Sequence, residues 1–275
     1  MIDELALNSN DLPNGLNYLP KELQAQINKL IVNRQGSIDK AYMRTESFLG
    51  YVQPGNTYQL CLDGLIKASN TSEIKTKIEP IRPASLALTG NWQSEISLKI
   101  DNANILGGNG SYLLLEGEQT LNIPIAPATP EHLAYYDSTL VRIDDYFSFN
   151  GTANMPVTIT IIGDDYVDGY LLNPNFGGGA YLEMHDQPHF HMPLDQAAKG
   201  YLIIGKKNSK DRDEISAFKI PYGYGVYMGP WAIHSDAHLV GRYMVVYSVT
   251  DNYSTVIIRR KNGQIANVSF GEYVF

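Results

Sequence analysis

The sequence predicts an all-β protein, a sandwich or barrel, on three observations. Short runs of Val, Ile, Leu, Thr and Tyr recur along most of the chain, divided by turns that contain Gly or Pro. Tyrosine (19 residues) and glycine (24) are abundant while charged residues make up only 18%, a balance that suits pleated, half-buried surfaces. Only one segment, near the N-terminus, carries a helical repeat. At 275 residues the chain can bury a substantial core, as one large domain or two smaller ones.

Residues 1–19 read as an irregular arm with a turn at Pro13-Asn14-Gly15. Residues 20–34 are the expected helix: Pro20 suits the first helical position, and Leu23, Ile27, Leu30 and Ile31 share a face. Gly36 is placed to end it. Strand-like runs follow from about residue 45, at 58–62, 95–100, 112–115 and 120–125, and Gly107 to Gly110 marks a hairpin turn. Pro124, Pro127 and Pro130 make an extended stretch. It is the expected boundary between a β-rich N-terminal region, 1–130, and a C-terminal domain, 131–275. Within the latter, strands are expected at 157–162, 170–172, 180–185, 201–204, 226–228, 242–249 and 255–260. Asn262-Gly263 should join the last of these to 264–270 as a hairpin. There is no clear internal repeat. The first region reads as a diverged second barrel, a dimerisation arm or a lid.

The net charge of -8, without any basic run, argues against nucleic acid or an anionic membrane as a partner. Cys61 is the only cysteine, so neither an intramolecular disulfide nor a cysteine zinc site is possible. The opening residues do not read as a secretory signal, and no run approaches the roughly 18 apolar residues of a membrane span. The expectation is a cytoplasmic protein that acts on a small molecule. A homodimer is expected because exposed sheet edges need cover.

Chemistry concentrates in the second half. Five of the six histidines lie between 185 and 238. His189 and His191, at i and i+2, point to one face of a strand. Asp195 can reach the same point after a turn, and His234 on a later strand completes a four-ligand set. Such a mixed set suits Zn, Fe(II), Mn(II), Ni(II) or Cu(II). Glu183 and His185 share the parity of His189 and His191, although Pro188 interrupts the register. Beside an ion they would serve as general base and proton shuttle, and Glu183 is a substitute ligand if Asp195 does not reach. His238 reads as a loop residue near the site. Tyr227 is the candidate phenolic proton donor, Tyr201 and Trp231 are candidate pocket walls, and Arg242 is the candidate partner of a substrate carboxylate. Each also has an ordinary reading: hydrogen-bonded core histidines, strand-pairing tyrosines and a salt-bridged surface arginine.

His189-Phe-His191-x3-Asp195 resembles the first motif of the cupin superfamily, H-x-H-x3-E, with Asp in place of Glu. The glycines at 177–179 precede it and Gly200 follows. Pro230-Trp-Ala-Ile-His234 is similar to the second motif, P-x-G-x2-H, one residue shorter and lacking the Gly. The likeness spans about residues 157–258. It implies a jelly-roll β-barrel in the C-terminal half and one divalent metal held by His189, His191, Asp195 and His234. Fe(II) is favoured, with Zn, Mn or Ni as alternatives. It further implies a mononuclear metal enzyme, with dioxygenase-type oxidation as the leading reaction. The alternatives are a non-redox isomerase, lyase or hydrolase that uses the ion as a Lewis acid, and a non-catalytic small-molecule binder.

Overall fold

In a computed structural model, residues 33–68, 78–93, 110–207, 213–248, 250 and 252–271 are described. Most of the helix expected at 20–34, the strand at 95–100 and most of the Gly107–Gly110 turn lie outside them. The described strands in the first half are β1 (Asn33–Gln35), β2 (Tyr42–Val52), β3 (Thr57–Cys61), β4 (Gly64–Lys67), β5 (Leu86–Leu88), β6 (Asn91–Gln93), β7 (Gly110–Leu113) and β8 (Thr120–Ala126). After helix α1 (Pro130–Tyr135) come β9 (Ser138–Arg142), β10 (Tyr146–Ser148), β11 (Met155–Ile162), β12 (Tyr181–His185), β13 (His189–Pro193) and β14 (Lys199–Lys206). The last five are β15 (Asp213–Phe218), β16 (Tyr224–Met228), β17 (Ile233–Val246), β18 (Tyr253–Arg259) and β19 (Asn267–Gly271). The all-β expectation holds.

Strand β17 organises the molecule. Its C-terminal half pairs with β11 and β13, and these extend to β2 and β1 on one side and to β16 and β9 on the other. Its N-terminal half pairs with β12 and β14 in a second sheet that runs β19-β8-β15-β14-β17-β12-β18-β7-β6. The inner faces share one core: Tyr181, Leu202, Ile204 and Ile257 from the second sheet meet Met43, Val226, Met228 and Val245 from the first. Each sheet also buries its outer face. Strands β3, β4 and β10 form a small sheet whose Tyr58, Leu60 and Phe147 cover Phe190, Met192 and Met244. Outside the second sheet, Leu182, Met184, Ile203 and Val256 pack with Tyr112, Ile123 and Phe270.

Pairing does not break near residue 130. Strand β2 pairs with β11, β7 with β18, and β8 with both β15 and β19, so strands from 1–130 complete the sheets of 131–275. Nor are the three prolines a linker. Pro124 sits in β8 opposite Gly271, and Pro130 opens α1 behind Thr129, whose hydroxyl accepts from the His132 N–H. Two local expectations also fail. Residues 170–172 belong not to a strand but to a π-helical turn, Val167–Leu171, and its exit. The Asn262-Gly263 turn closes as expected, with Gly263 at φ 81°. Beyond one bridge to Arg259, however, the strand after it pairs in parallel with β8.

Candidate metal centre

Two strands and a tight turn bring the chemistry together. On β12, Leu182 and Met184 enter the outer core, which turns Tyr181, Glu183 and His185 inward. On β13, Phe190 and Met192 enter the other outer core, so His189 and His191 also face inward, from the opposing sheet. The connection 186–188 is pinned from outside. Gln187 exchanges hydrogen bonds with Thr152 (2.6 and 2.8 Å), and the Ser248 hydroxyl donates to the Pro188 carbonyl at 2.7 Å. Pro188 therefore breaks one strand into two without removing either pair of side chains from the interior.

Strand β17 adds His234, directly across from Glu183. A register shift opposite Tyr201–Ile203 places an extra residue in β17. His234 and Asp236 point inward before it and Ala237, Leu239, Tyr243 and Val245 after it, while His238 is turned outward against the Phe270 ring. The expectation of a loop at 235–238 is corrected: these residues lie within β17.

Glu183, His185, His189 and His234 each present a ligand atom, and these atoms all lie within 4.8 Å of one another. All four side chains are buried. His234 Nδ1 lies 2.9 Å from the Ala232 carbonyl and His185 Nδ1 lies 2.7 Å from the Gln187 carbonyl, so in each ring Nδ1 carries the proton and donates it. Both Nε2 atoms are thereby left to face inward, the arrangement by which outer partners orient metal-binding imidazoles. Around His234 Nε2 stand Glu183 Oε1 at 3.2 Å and His189 Nδ1 at 3.0 Å. A carboxylate oxygen and an imidazole lone pair this close require a proton or a cation between them. Electrostatics reports the same demand. Burial alone would lower the His234 pKa, but the hydrogen bond and charge of Glu183 outweigh it and raise it. Burial, followed by the neighbouring His234, pushes His185 down to about 3, so it is neutral near pH 7 with its lone pair free. Burial, then His191 and His234, holds His189 well below the usual value too.

The group therefore has the composition and geometry to hold a metal ion, with two of the expected ligands, His189 and His234, and without the other two. Asp195 is exposed in the turn after β13, where its carbonyl accepts from the Ala198 N–H, so Glu183 and not Asp195 supplies the carboxylate. His191 is next to the group, its ring 4.8 Å from that of His189, but its Nε2 is paired with Asp236 at 3.1 Å. Asp236 also accepts from the Tyr181 hydroxyl. Burial would raise the Asp236 pKa, yet the hydrogen bond and charge of His191 hold it down at about 2. Glu183 and His185, expected as base and shuttle, stand inside the ligand group.

The remaining expected residues do not converge. Tyr227 pairs with Phe190 and shares its outer core, its hydroxyl accepting from the Asn150 N–H at 3.2 Å. Tyr201 packs on Phe270 at 4.9 Å, outside the second sheet. Arg242 is half-exposed and ion-paired with Glu46 at 2.6 Å. Trp231 alone is near. It is 47% exposed, its backbone is left-handed at φ 65°, and its N–H donates to the His185 carbonyl at 2.7 Å. Sequence reasoning missed Asp236 and Tyr181, as well as Thr255, which lies opposite Glu183 with a buried hydroxyl that has no partner among the described residues. One signal was present: Glu183-Met-His185-x3-His189 has the same spacing as His189-Phe-His191-x3-Asp195, with acid and imidazole exchanged.

No family model, no curated protein and no solved structure matches the chain. Fold and site together define an all-β protein with a buried group of three histidines and one glutamate that can bind metal. Among the described residues no helix is long and apolar enough to cross a membrane.

The ligand assignment makes a direct prediction. Asp195→Ala is expected to leave the metal content of the purified protein unchanged, whereas Glu183→Gln, isosteric but without the charge, should lower it severalfold. Elemental analysis of both variants beside the native protein measures this, and the reverse ranking would restore Asp195 as the ligand.

Proposed function

We propose that the protein is a mononuclear metal-dependent enzyme with a cupin-like jelly-roll barrel, acting on a small organic substrate. The favoured ion is Fe(II) and the favoured reaction a dioxygen-dependent oxidation. One observation carries the reading: a carboxylate and three imidazoles from three strands converge within 4.8 Å in the interior, two of the rings with their tautomer set by backbone carbonyls. A divalent ion bound there would supply Lewis acidity and, as Fe(II), electrons for reaction with O2. Glu183, His185, His189 and His234 would hold it. The surrounding chain keeps those four in place and keeps water out: Leu182, Met184, Phe190 and Met192 lock the two strands from behind. His191 presents beside His189 an Nδ1 that has no partner among the described residues, while Asp236 fixes the opposite nitrogen, so Nδ1 is the atom at which a substrate proton would be held. Trp231, exposed next to His185, would flank the entrance.

The same His191–Asp236 pair favours a second reading, in which the ion acts only as a Lewis acid and His191 manages the proton. Reconstitution with Fe(II) or with Zn(II), followed by a screen of small organic acids with and without O2, separates the two. O2 uptake with Fe(II) and none with Zn(II) is the expected result. Turnover that is undiminished without O2, or equal with Zn(II), would replace the oxidative reading by the second. A protein that retains neither metal would overturn both.

A further inference from the structure

Arg34, on β1, is a cation placed inside the fold, with only 7% of its surface exposed. Its Nη1 donates to the Tyr166 hydroxyl at 3.1 Å. Among the described residues it forms no ion pair. A guanidinium has five N–H donors, and among the described residues the Arg34 side chain donates to a phenol and forms no salt bridge, so its fork is left to take a carboxylate. Asp236 is within electrostatic reach, but its two oxygens are already engaged by His191 and Tyr181.

The surroundings tie Arg34 to the metal-binding group. Tyr181 reaches Asp236 from two residues before Glu183, on the same face of β12. The Tyr247 ring lies 5.4 Å from that of His189 and is within electrostatic reach of both Asp236 and Arg34. Tyr166 stands at the start of the π-helical turn Val167–Leu171, and its ring stacks on Tyr170 at 5.4 Å, which stacks in turn on Phe176 at 5.9 Å. Here the turn holds a hydroxyl against the guanidinium and an aromatic wall beside it.

We propose that Arg34, with Tyr166 beside it, is the subsite that binds the carboxylate of the substrate, which is therefore a small organic acid. The role Arg242 cannot fill from the outer surface passes to an arginine on the inner face. A monoanion fits better than a doubly charged phosphate, because the Asp236 carboxylate stands close by. Identifying the bound acid as substrate rests on the metal-enzyme reading above; the binding itself does not.

Thermal shift and calorimetry with benzoate, benzamide and phenyl phosphate, on metal-free and metal-loaded protein, test this. Benzoate is expected to bind and raise Tm in both forms, and benzamide to do neither. Arg34→Met should weaken benzoate binding by about tenfold or more. Without benzoate its Tm should equal or exceed the native value, since it removes a buried cation that forms no ion pair among the described residues. Arg34→Lys, which keeps the charge and loses the fork, should fall between the two. Equal binding of benzoate and benzamide, tighter binding of phenyl phosphate, or native-like benzoate binding by Arg34→Met would overturn the proposal. So would a lower Tm in Arg34→Met together with no benzoate binding by the native protein, the mark of a purely structural cation. If benzoate binds as expected while the protein never retains a metal, the enzyme reading fails and the carboxylate subsite stands.

Discussion

His234→Ala is expected to remove metal binding, from about one ion per chain to a trace, as measured by elemental analysis of protein purified without added metal. The size of the effect follows from position. His234 Nε2 is the atom around which Glu183 Oε1 and His189 Nδ1 gather, at 3.2 and 3.0 Å. Its removal takes away one of four candidate ligands and also the contact that holds Glu183 and His189 toward a common point. Loss of an outer partner alone costs metal affinity about 10–100-fold, and loss of a ligand at the centre of the group should exceed that. Stability should fall as well. Glu183 is 4% exposed and would be left as a buried carboxylate without its imidazole, a change that costs about 3–5 kcal/mol when a buried pair is broken from one side. Adding Glu183→Gln to His234→Ala should recover part of that loss, because the uncompensated charge is then gone. Recovery of stability without recovery of metal, measured by denaturant unfolding, would separate the electrostatic role from ligation. Metal content unchanged in His234→Ala would remove the basis of the enzyme reading.

Strand periodicity made part of this site legible. The i, i+2 rule put His189 and His191 on one face, and the clustering of histidines pointed to the right region. Periodicity could not choose between Asp195 and Glu183, because two overlapping triplets, at 183, 185, 189 and at 189, 191, 195, share one spacing. The choice is made by a turn. Chain 186–188, held by Thr152 and Ser248, folds β12 and β13 into facing sheets, and residue 195 falls beyond the end of β13. Placing Tyr227, Tyr201 and Arg242 required knowing which face of each sheet is the inner one. The usual cue, polar outside and apolar inside, is missing here because both sheets are covered on both sides. Every residue of β12 and β13 is buried, so neither strand alternates between wet and dry. Asp236 and His238 were hidden by the extra residue in β17, which reverses parity between them; a bulge of this kind leaves no mark in a hydrophobicity pattern. The break expected near residue 130 failed for a related reason. Proline runs mark places where ladder donors are lost, but β8 holds Pro124 within it, opposite the last residue of β19, and still pairs with strands on both sides.

Phe190→Ala is expected to be the most destabilising single change on the outer face of the first sheet. Phe190 sits between His189 and His191 and is fully buried. Its ring stacks on Phe147 at 5.2 Å and meets Phe149 edge-on at 6.1 Å. Gly225, across the pair with β16, leaves it room, since a Cβ there would strike the ring. Removing such a ring from a packed core costs about 3–5 kcal/mol, from lost burial and from the cavity that rigid neighbours cannot close. For a chain of this size that corresponds to a drop in Tm of about 6–20 °C. The backbone of β13 is held independently, by pairing with β16 and β17 on its two edges. Well below the lowered Tm, then, His189 and His191 should keep their direction, and metal content should stay close to native. Gly225→Val probes the same contact from the other side: it overfills the space that Phe190 occupies and should destabilise by about 1–3 kcal/mol. Thermal unfolding paired with elemental analysis at 25 °C reads both quantities for each variant. A Tm shift of under 3 °C for Phe190→Ala would mean that the small sheet of β3, β4 and β10 does not unfold together with the sheet that carries the histidines. Loss of metal at 25 °C without unfolding would mean that Phe190 is what aims them.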